Sequence, residues 1–419
     1  MPRLFPGLAP LAHRNYALYW SGQLVSMSGT WIELTATTWL LYQLTDSPFL
    51  LGLGGVFRGL PIFVFALVGG AVADRVERRR LLLITQSASV LTSLILGALV
   101  VTGNIAFWHI YAINVINATI AAFDAPGRQS LFPTLVPKGQ LQNAITLNAM
   151  LFRTSNLVGP AVAGILIARV GLASPFFVNA VSYFAIIGGL LAMRIPPVAA
   201  RTRGSIREDL VGGLRYVRAS AILPLVLAIE AVLSVFGHNQ ALITIFARDV
   251  LGTDAQGLGL LLSSIGLGAI VGMAALIVIG DVRRKGIVMI GAGTVYAATF
   301  LIFAWSRSFE LSLLALGLLG FADATWGTMR TAIAQLAAQD AYRGRVMSLL
   351  IIVSRGLTNV SQLETGIATA IAGPTGAATL GAAIIAAVVG IVAVRAERLR
   401  DFAAGTPRSV PQAADAGGE

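Results

Sequence analysis

The sequence predicts an all-α integral membrane protein, with twelve transmembrane helices in two pseudo-symmetric six-helix bundles. Three observations predict it. Apolar residues make up 56% of the 419 positions and charged residues only 12%. The apolar residues gather into runs of the roughly 20 residues that a helix needs to cross a hydrocarbon core of about 30 Å. Basic residues fall in alternate gaps between those runs. In lipid each backbone polar group must be bonded within its own segment, so such runs are read as helices.

Apolar runs set against chain breakers give the spans in order. The first, 15–43, follows Pro2, Arg3, Pro6, Pro10, His13 and Arg14 and has no small-residue cleavage site. It is expected as a retained crossing, not a signal peptide. The turn Thr45-Asp46-Ser47 separates it from the second, 48–73. The others are 81–102, 105–127, 141–168, 173–194, 222–248, 256–280, 286–305, 309–331, 346–371 and 376–395. The tail after residue 401, rich in Ala, Pro and Gly, is expected to be disordered.

Lys and Arg mark the cytoplasmic side of a membrane protein. With the N-terminus inside, that side carries Arg3, Arg14, Arg75, Arg78, Arg79, Arg80, Arg128 and Lys138 in the first half. The linker adds Arg194, Arg201, Arg203, Arg207, Arg215 and Arg218. The second half and tail add Arg283, Arg284, Lys285, Arg330, Arg343, Arg345, Arg395, Arg398, Arg400 and Arg408. The other side carries Arg169, Arg248 and Arg307, and only Arg58, Arg153 and Arg355 fall inside spans. Both termini are therefore expected in the cytoplasm. The net charge of +11 is accounted for by topology, and no nucleic-acid partner is expected.

Residues 196–220 break the apolar pattern with Pro196, Pro197 and a charged run. Ser205 followed by Glu208 fits a capping box, and Ile206, Leu210, Leu214 and Val217 recur at helical spacing. An amphipathic helix on the inner membrane surface and a solvated linker both fit. The expected division is 1–195, a linker at 196–220, 221–400 and a tail at 401–419. The two halves look related. A shift of 202 carries Arg128 onto Arg330, Leu147 onto Leu349, Arg153 onto Arg355, Val158 onto Val360 and Gly164 onto Gly366.

Several chemistries are absent from the pattern. The chain has no cysteine, which excludes disulfides and thiolate metal sites. His13, His109 and His238 lie far apart, without ligand spacing. There is no zinc-hydrolase pair, no Gly-x-Ser-x-Gly elbow and no phosphate-binding loop with its Lys. Gly266, Gly268 and Gly272 lie inside an apolar helix, where small residues permit close packing. No cofactor is expected, and a membrane-embedded enzyme is the less favoured class. A passive facilitator or an importer of a small solute stays open as an alternative to an active exporter.

Polar residues inside the spans fall into stripes. Gln23, Ser26, Thr30, Glu33 and Thr37 share one face of span 1, and Asn114, Asn117, Asp124 and Arg128 share one of span 4. Glu230, Ser234 and His238 line up in span 7, and Asp323, Gly327 and Arg330 in span 10. Glu33 and Arg58 both lie about 16–18 Å below the Thr45-Asp46-Ser47 turn at 1.5 Å per residue, so an ion pair is expected. That pair fits two uses, locking spans 1 and 2 or tuning a proton- or cation-binding carboxylate. His238 titrates in the physiological range when unperturbed, yet it also fits a hydrogen-bonded packing role. Glu230 is a second carboxylate candidate.

The loop after span 2 reads Gly70-Ala-Val-Ala-Asp74-Arg75-Val-Glu77-Arg78-Arg79, and Gly280-Asp281-Val-Arg283-Arg284-Lys285 echoes it after span 8. These resemble the loop motif of the major facilitator superfamily, with Glu77 where Gly is usual. Parallel six-span repeats are a mark of the same family. Gly159-Pro160-Ala-Val-Ala163-Gly164 is similar to its exporter-type motif, which implies antiport, while a small-residue packing face is the alternative. Phe123-Asp124-Ala-Pro126-Gly-Arg128 and the segment from Arg343 to Ser348 look like the branch of macrolide-efflux and siderophore-export proteins.

The resemblance implies that spans 1, 4, 7 and 10 surround a central cavity, and that Asp74 is a gate facing the start of span 11. Where many proton-driven relatives carry an Arg in span 4, this chain has Asn114 and Asn117. The function expected is proton-coupled efflux of a small amphipathic compound, drug- or siderophore-like, by a monomer in a bacterial cell membrane.

Overall fold

The computed structural model describes residues 6–193, 206–339 and 342–400. Among them the architecture is helical throughout, and each of the twelve expected crossings has its counterpart. The first six are α1 (Arg14–Thr45), α2 (Pro48–Arg75), α3 (Arg78–Val101), α4 (Phe107–Leu131), α5 (Leu141–Arg169) and α6 (Ser174–Ala192). The linker contributes α7 (Ile206–Ala219). The second six are built from α8 (Leu223–Phe236) with α9 (Gln240–Ile245), α10 (Ala255–Ile279), α11 (Lys285–Trp305), α12 (Phe309–Ala337) and α13 (Arg343–Arg395). Gly373, at φ 70° and ψ 169°, divides α13 into the two arms expected as spans 11 and 12. Eight segments are long and apolar enough to cross a membrane on composition alone, with both arms of α13 in one of them. The crossings α1 and α4 fall short of that measure because they carry the polar stripes, and α2 contributes the shorter apolar stretch Pro48–Ile62. Large apolar side chains face outward, including Ile277, Val278 and Ile371, each more than 80% exposed, as a lipid-facing surface requires.

Successive crossings alternate in direction. The end where α1 begins gathers Arg14, Arg78, Lys138, Lys285 and Arg343 and is the basic end. At the opposite, far end three of the crossings that return, α2, α10 and α12, start on side-chain caps. Ser47 accepts the Leu50 amide at 3.3 Å, Asp254 the Gly257 amide at 3.0 Å and Ser308 the Leu311 amide at 3.3 Å. Each satisfies a donor left open by the first helical turn.

Two observations refine the expected pattern. Span 7 is not one continuous helix. It breaks at Gly237-His238-Asn239 between α8 and α9, and α9 runs into a π-helix at Phe246–Val250. Asn239 drives the restart: its Oδ1 accepts the Leu242 amide at 3.0 Å, and its Nδ2 donates to Thr365 Oγ1 at 2.6 Å. The linker helix forms, and it docks through Val217 of the expected face together with the neighbouring Tyr216. Tyr216 and Val217 are buried while Leu214 is 42% exposed. The Tyr216 ring stacks on Tyr342 at 4.3 Å, and its hydroxyl accepts the Gln339 amide at 2.9 Å. Ser205, half of the expected capping box, and the 401–419 tail lie outside the described residues.

The bundles meet through two matching glycine contacts near the far end. A Cβ on Gly52 of α2 would come within 2.4 Å of the Gln362 carbonyl oxygen and 3.0 Å of Gly366 Cα. A Cβ on Gly259 of α10 would come within 2.4 Å of the Pro160 carbonyl oxygen and 3.3 Å of Gly164 Cα. The shift of 202 carries Pro160 and Gly164 onto Gln362 and Gly366, so the internal repeat builds one contact twice. Lipid tails are as apolar as leucine, so helices in a membrane associate by close packing of small residues. Gly159 packs the same way on Trp31 of α1, where a Cβ would meet Trp31 Cβ at 2.4 Å. Of the two readings of the Gly159-Pro160-Gly164 motif, these contacts carry the packing one.

Candidate functional site

Two adjoining chambers lie between these helices. The smaller, about 390 Å³, sits within the first six crossings. Thr30, Glu33 and Thr37 of α1 border it, with Arg58 of α2 and Asn114 and Asn117 of α4. The 3.6-residue period of α1 and α4 puts these polar groups on the faces that meet there. The larger chamber, about 700 Å³, separates the two bundles. Tyr19, Gln23, Phe152 and Arg153 line one wall, and Arg330, Thr331, Met347, Ser354 and Thr358 line the other. Met27, Ala125 and Arg128 border both chambers.

Glu33 is buried at the edge of the smaller chamber. It accepts hydrogen bonds from Ser93 Oγ of α3 and from Asn179 Nδ2 of α6, the latter at 2.7 Å. The expected Glu33–Arg58 ion pair is not formed. Equal depth on neighbouring helices does not fix the direction in which a side chain points, and Glu33 turns toward α3 and α6. Arg58 borders the chamber with no acidic partner among the described residues. Asn179 is held in turn by Ser182, whose hydroxyl donates to Asn179 Oδ1 at 3.0 Å. Neither Ser93 nor Asn179 belongs to a polar stripe on spans 1, 4, 7 or 10, so periodicity alone does not find them.

Asp124 forms a second network on α4. It accepts from Thr85 Oγ1 at 2.8 Å and Gln86 Nε2 at 2.7 Å, and pairs with Arg128 one turn along. Thr92 Oγ1 donates to Asn117 Oδ1 at 2.7 Å. Asn114 Nδ2 lies 3.5 Å from the Gly54 carbonyl oxygen.

The stripes on spans 7 and 10 turn toward each other. Glu230 pairs with Arg330 and accepts from Trp326 Nε1 at 3.2 Å and Ser234 Oγ at 3.4 Å. His238 lies in the break of span 7, where its amide donates to Tyr296 Oη at 2.9 Å and its Nδ1 lies 2.8 Å from the same oxygen. Asp323 is within electrostatic reach of His238 and Tyr296. Glu230, Ser234, His238 and Asp323 border neither chamber, a correction to their expected place on a cavity wall. Glu230, Ser234 and His238 are taken up by partners inside their own bundle, and of the two stripes only Arg330 reaches the space between the bundles.

The far end is closed by a cluster that spans the bundles. Arg248 pairs with Asp46 at the end of α1 and donates to the Tyr42 carbonyl oxygen at 3.1 Å. Its guanidinium lies 5.1 Å from the centre of the Tyr42 ring. The Tyr42 hydroxyl donates to Asp249. Deeper in, Gln240 Nε2 lies 3.5 Å from Thr35 Oγ1. Asp46 and Arg248 are legible in the sequence as loop residues of the sparsely charged side, but nothing in their spacing shows that they meet.

The loop-motif residues sit at the basic end. Arg79 Nη2 donates to the Leu191 carbonyl oxygen at 2.8 Å and so ties α3 to the end of α6. Arg75 is exposed and Arg78 half-buried. Gly70 and Asp74 belong to α2, and their side chains lie outside the described part of the structure.

Comparison with known proteins agrees with this architecture. The profile of the transmembrane secretion effector family (MFS_3) matches residues 5–413. The enterobactin exporter EntS of Shigella boydii serotype 4 is 24% identical over 311 residues, 74% of each chain. The MFS-type transporter YfiS of Bacillus subtilis is 26% identical over 165 residues, and that match spans 39% of this chain and 38% of YfiS. The solved structure of a bacterial homologue of the human lysosomal transporter Spinster, in an inward-facing state, shares the fold. Its TM-score is 0.67 at 14% identity, over 91% of this chain and 95% of that one. The chain belongs to the transmembrane secretion effector family of the major facilitator superfamily, and is a multi-pass membrane transporter of small molecules.

Proposed function

We propose that the protein is a proton-coupled exporter of a small amphipathic compound, working by alternating access. The observation that carries this reading is the contrast between the two ends. An ion pair and glycine contacts join the bundles at the far end, while the larger chamber parts them toward the basic end. The basic end faces the cytoplasm of a bacterial cell under the positive-inside rule, so the chamber opens to the side from which an exporter loads. Rocking one bundle against the other would break the far-end contacts and close the basic end. The exporter among its relatives supports the outward direction.

Glu33 is the proton carrier in this reading. It is a buried carboxylate on the chamber wall, and neither of its hydrogen-bond donors is charged. No ion pair has to be broken when it takes up a proton. Glu230, by contrast, is committed to Arg330, and His238 is engaged by Tyr296; both serve the packing of their bundle. Asp74, at the basic end of α2, would meet the N-terminus of α13 when that end closes, where the helix dipole favours an anion.

The test is transport in vesicles with an imposed pH gradient. A fluorescent amphipathic dye should move against its own gradient, and Glu33→Gln should lower that movement about tenfold or more while the variant still elutes as a folded monomer. Dye movement that only follows its own gradient, indifferent to pH, would establish a passive facilitator instead.

A further inference from the structure

We propose that the compound carried is an organic anion whose acid group is held by Arg58 in the smaller chamber after capture by Arg153 in the larger one. This rests on the exporter reading and names its substrate class. Among the described residues, four guanidinium groups border the two chambers: Arg58, Arg128, Arg153 and Arg330. Two are neutralised, Arg128 by Asp124 and Arg330 by Glu230. Arg58 and Arg153 are half-buried, and neither has an ion pair among the described residues. The remaining carboxylate on the wall, Glu33, is bonded to Ser93 and Asn179. The adjoining chambers therefore carry an excess of positive charge, which grows when Glu33 is protonated.

An intramembrane arginine without a counter-ion is expensive and belongs to a water-filled path or a binding site. The guanidinium fork offers paired N–H donors that match a carboxylate, sulfonate or phosphate. With Glu33 protonated, an amphipathic cation would meet two uncompensated like charges instead. Gln23 is an independent sign of a ligand. It borders the larger chamber at 1% exposure, and neither its Oε1 nor its Nε2 has a hydrogen-bond partner. Buried amides are rarely left unbonded, and this one has both a donor and an acceptor to give. Tyr19, Met27, Phe132, Phe152 and Met347 give that chamber an apolar and aromatic part beside its polar residues. It suits a hydrophobic body attached to the acid group. A volume of about 700 Å³ lies within the range of small-molecule sites.

The test uses one aromatic fluorophore in three forms: a carboxylate, its methyl ester and the matching amine. Binding to the purified protein should favour the carboxylate about tenfold or more over the other two. Arg58→Gln should abolish that preference while leaving the ester unaffected, and Arg58→Lys should keep part of it. Arg153→Gln should raise KM for the carboxylate with little change in kcat, as expected for a residue of capture. A preference for the amine, or equal weakening of all three forms by Arg58→Gln, overturns the proposal. Gradient-driven efflux of the amine in place of the carboxylate does so too and leaves the exporter reading standing. Tight carboxylate binding without gradient-driven movement supports the anion site and overturns the exporter reading.

Discussion

Arg248 and Asp46 join the two bundles at the far end: the guanidinium lies 2.5 Å from the carboxylate, from the π-helix that ends the seventh crossing to the C-cap of α1. The Asp46 backbone is held in the left-handed region at φ 46°, where Asp is one of the few tolerated residues. Both side chains reach solvent, at 33% and 72% exposure, so the pair itself is worth no more than about 1 kcal/mol. The carbonyl and ring contacts with Tyr42 add to it. Arg248→Gln should therefore shift the balance toward far-end opening by about tenfold or less. Labelling of a single cysteine near Asp46 would read it out, and the chain supplies no competing thiol. Asp46→Asn should give a smaller shift of the same sign.

Glu230 and Arg330 form the most buried ion pair, at 5% and 15% side-chain exposure. Removing one partner leaves the other charge uncompensated, which costs about 3–5 kcal/mol in buried pairs. Glu230→Gln should lower thermal stability markedly. A Glu230→Gln/Arg330→Met double variant should recover most of the loss. Equal stability of the single variant and the parent would show that the pair is not a structural lock.

Gly52 and Gly259 hold equivalent places in the two bundle contacts, each facing a carbonyl oxygen that a Cβ would reach at 2.4 Å. Alanine at either site must push the bundles apart, and overpacking of this kind costs about 1–3 kcal/mol. Because both contacts lie near the far end, the strain is relieved by opening that end. Gly52→Ala and Gly259→Ala should each raise far-end cysteine labelling, by similar amounts. An effect of one without the other would deny the equivalence that the repeat implies.

Asp74 offers a separate test of gating. Asp74→Asn should slow turnover far more than it weakens substrate binding, because its proposed contact exists only when the basic end is closed. Unchanged turnover would remove it from the gate.

Helix number and the polar faces of α1 and α4 were legible because both follow from periodicity along one chain segment. Thr30, Glu33, Thr37, Asn114 and Asn117 share a chamber as their spacing implies. What spacing does not carry is direction between helices. Depth matches Glu33 with Arg58, but its donors are Ser93 of α3 and Asn179 of α6, two helices outside the set expected to line the cavity. The stripes on spans 7 and 10 were found, yet they bond to each other and leave Arg330 alone on the cavity wall. The break at Gly237-His238-Asn239 was hidden because apolar residues flank it on both sides. It needs Ser361 and Thr365, more than 120 residues away, to bond Asn239.

Paired distances at the two ends test the rocking motion most directly. Spin labels at Leu44 and Glu310 would report the far end, and labels at Arg80 and Arg283 the basic end. All four side chains are exposed. Across a change of pH and addition of a transported dye, the far-end distance should lengthen as the basic-end distance shortens. Distances that stay fixed, or that change in the same sense at both ends, would contradict alternating access.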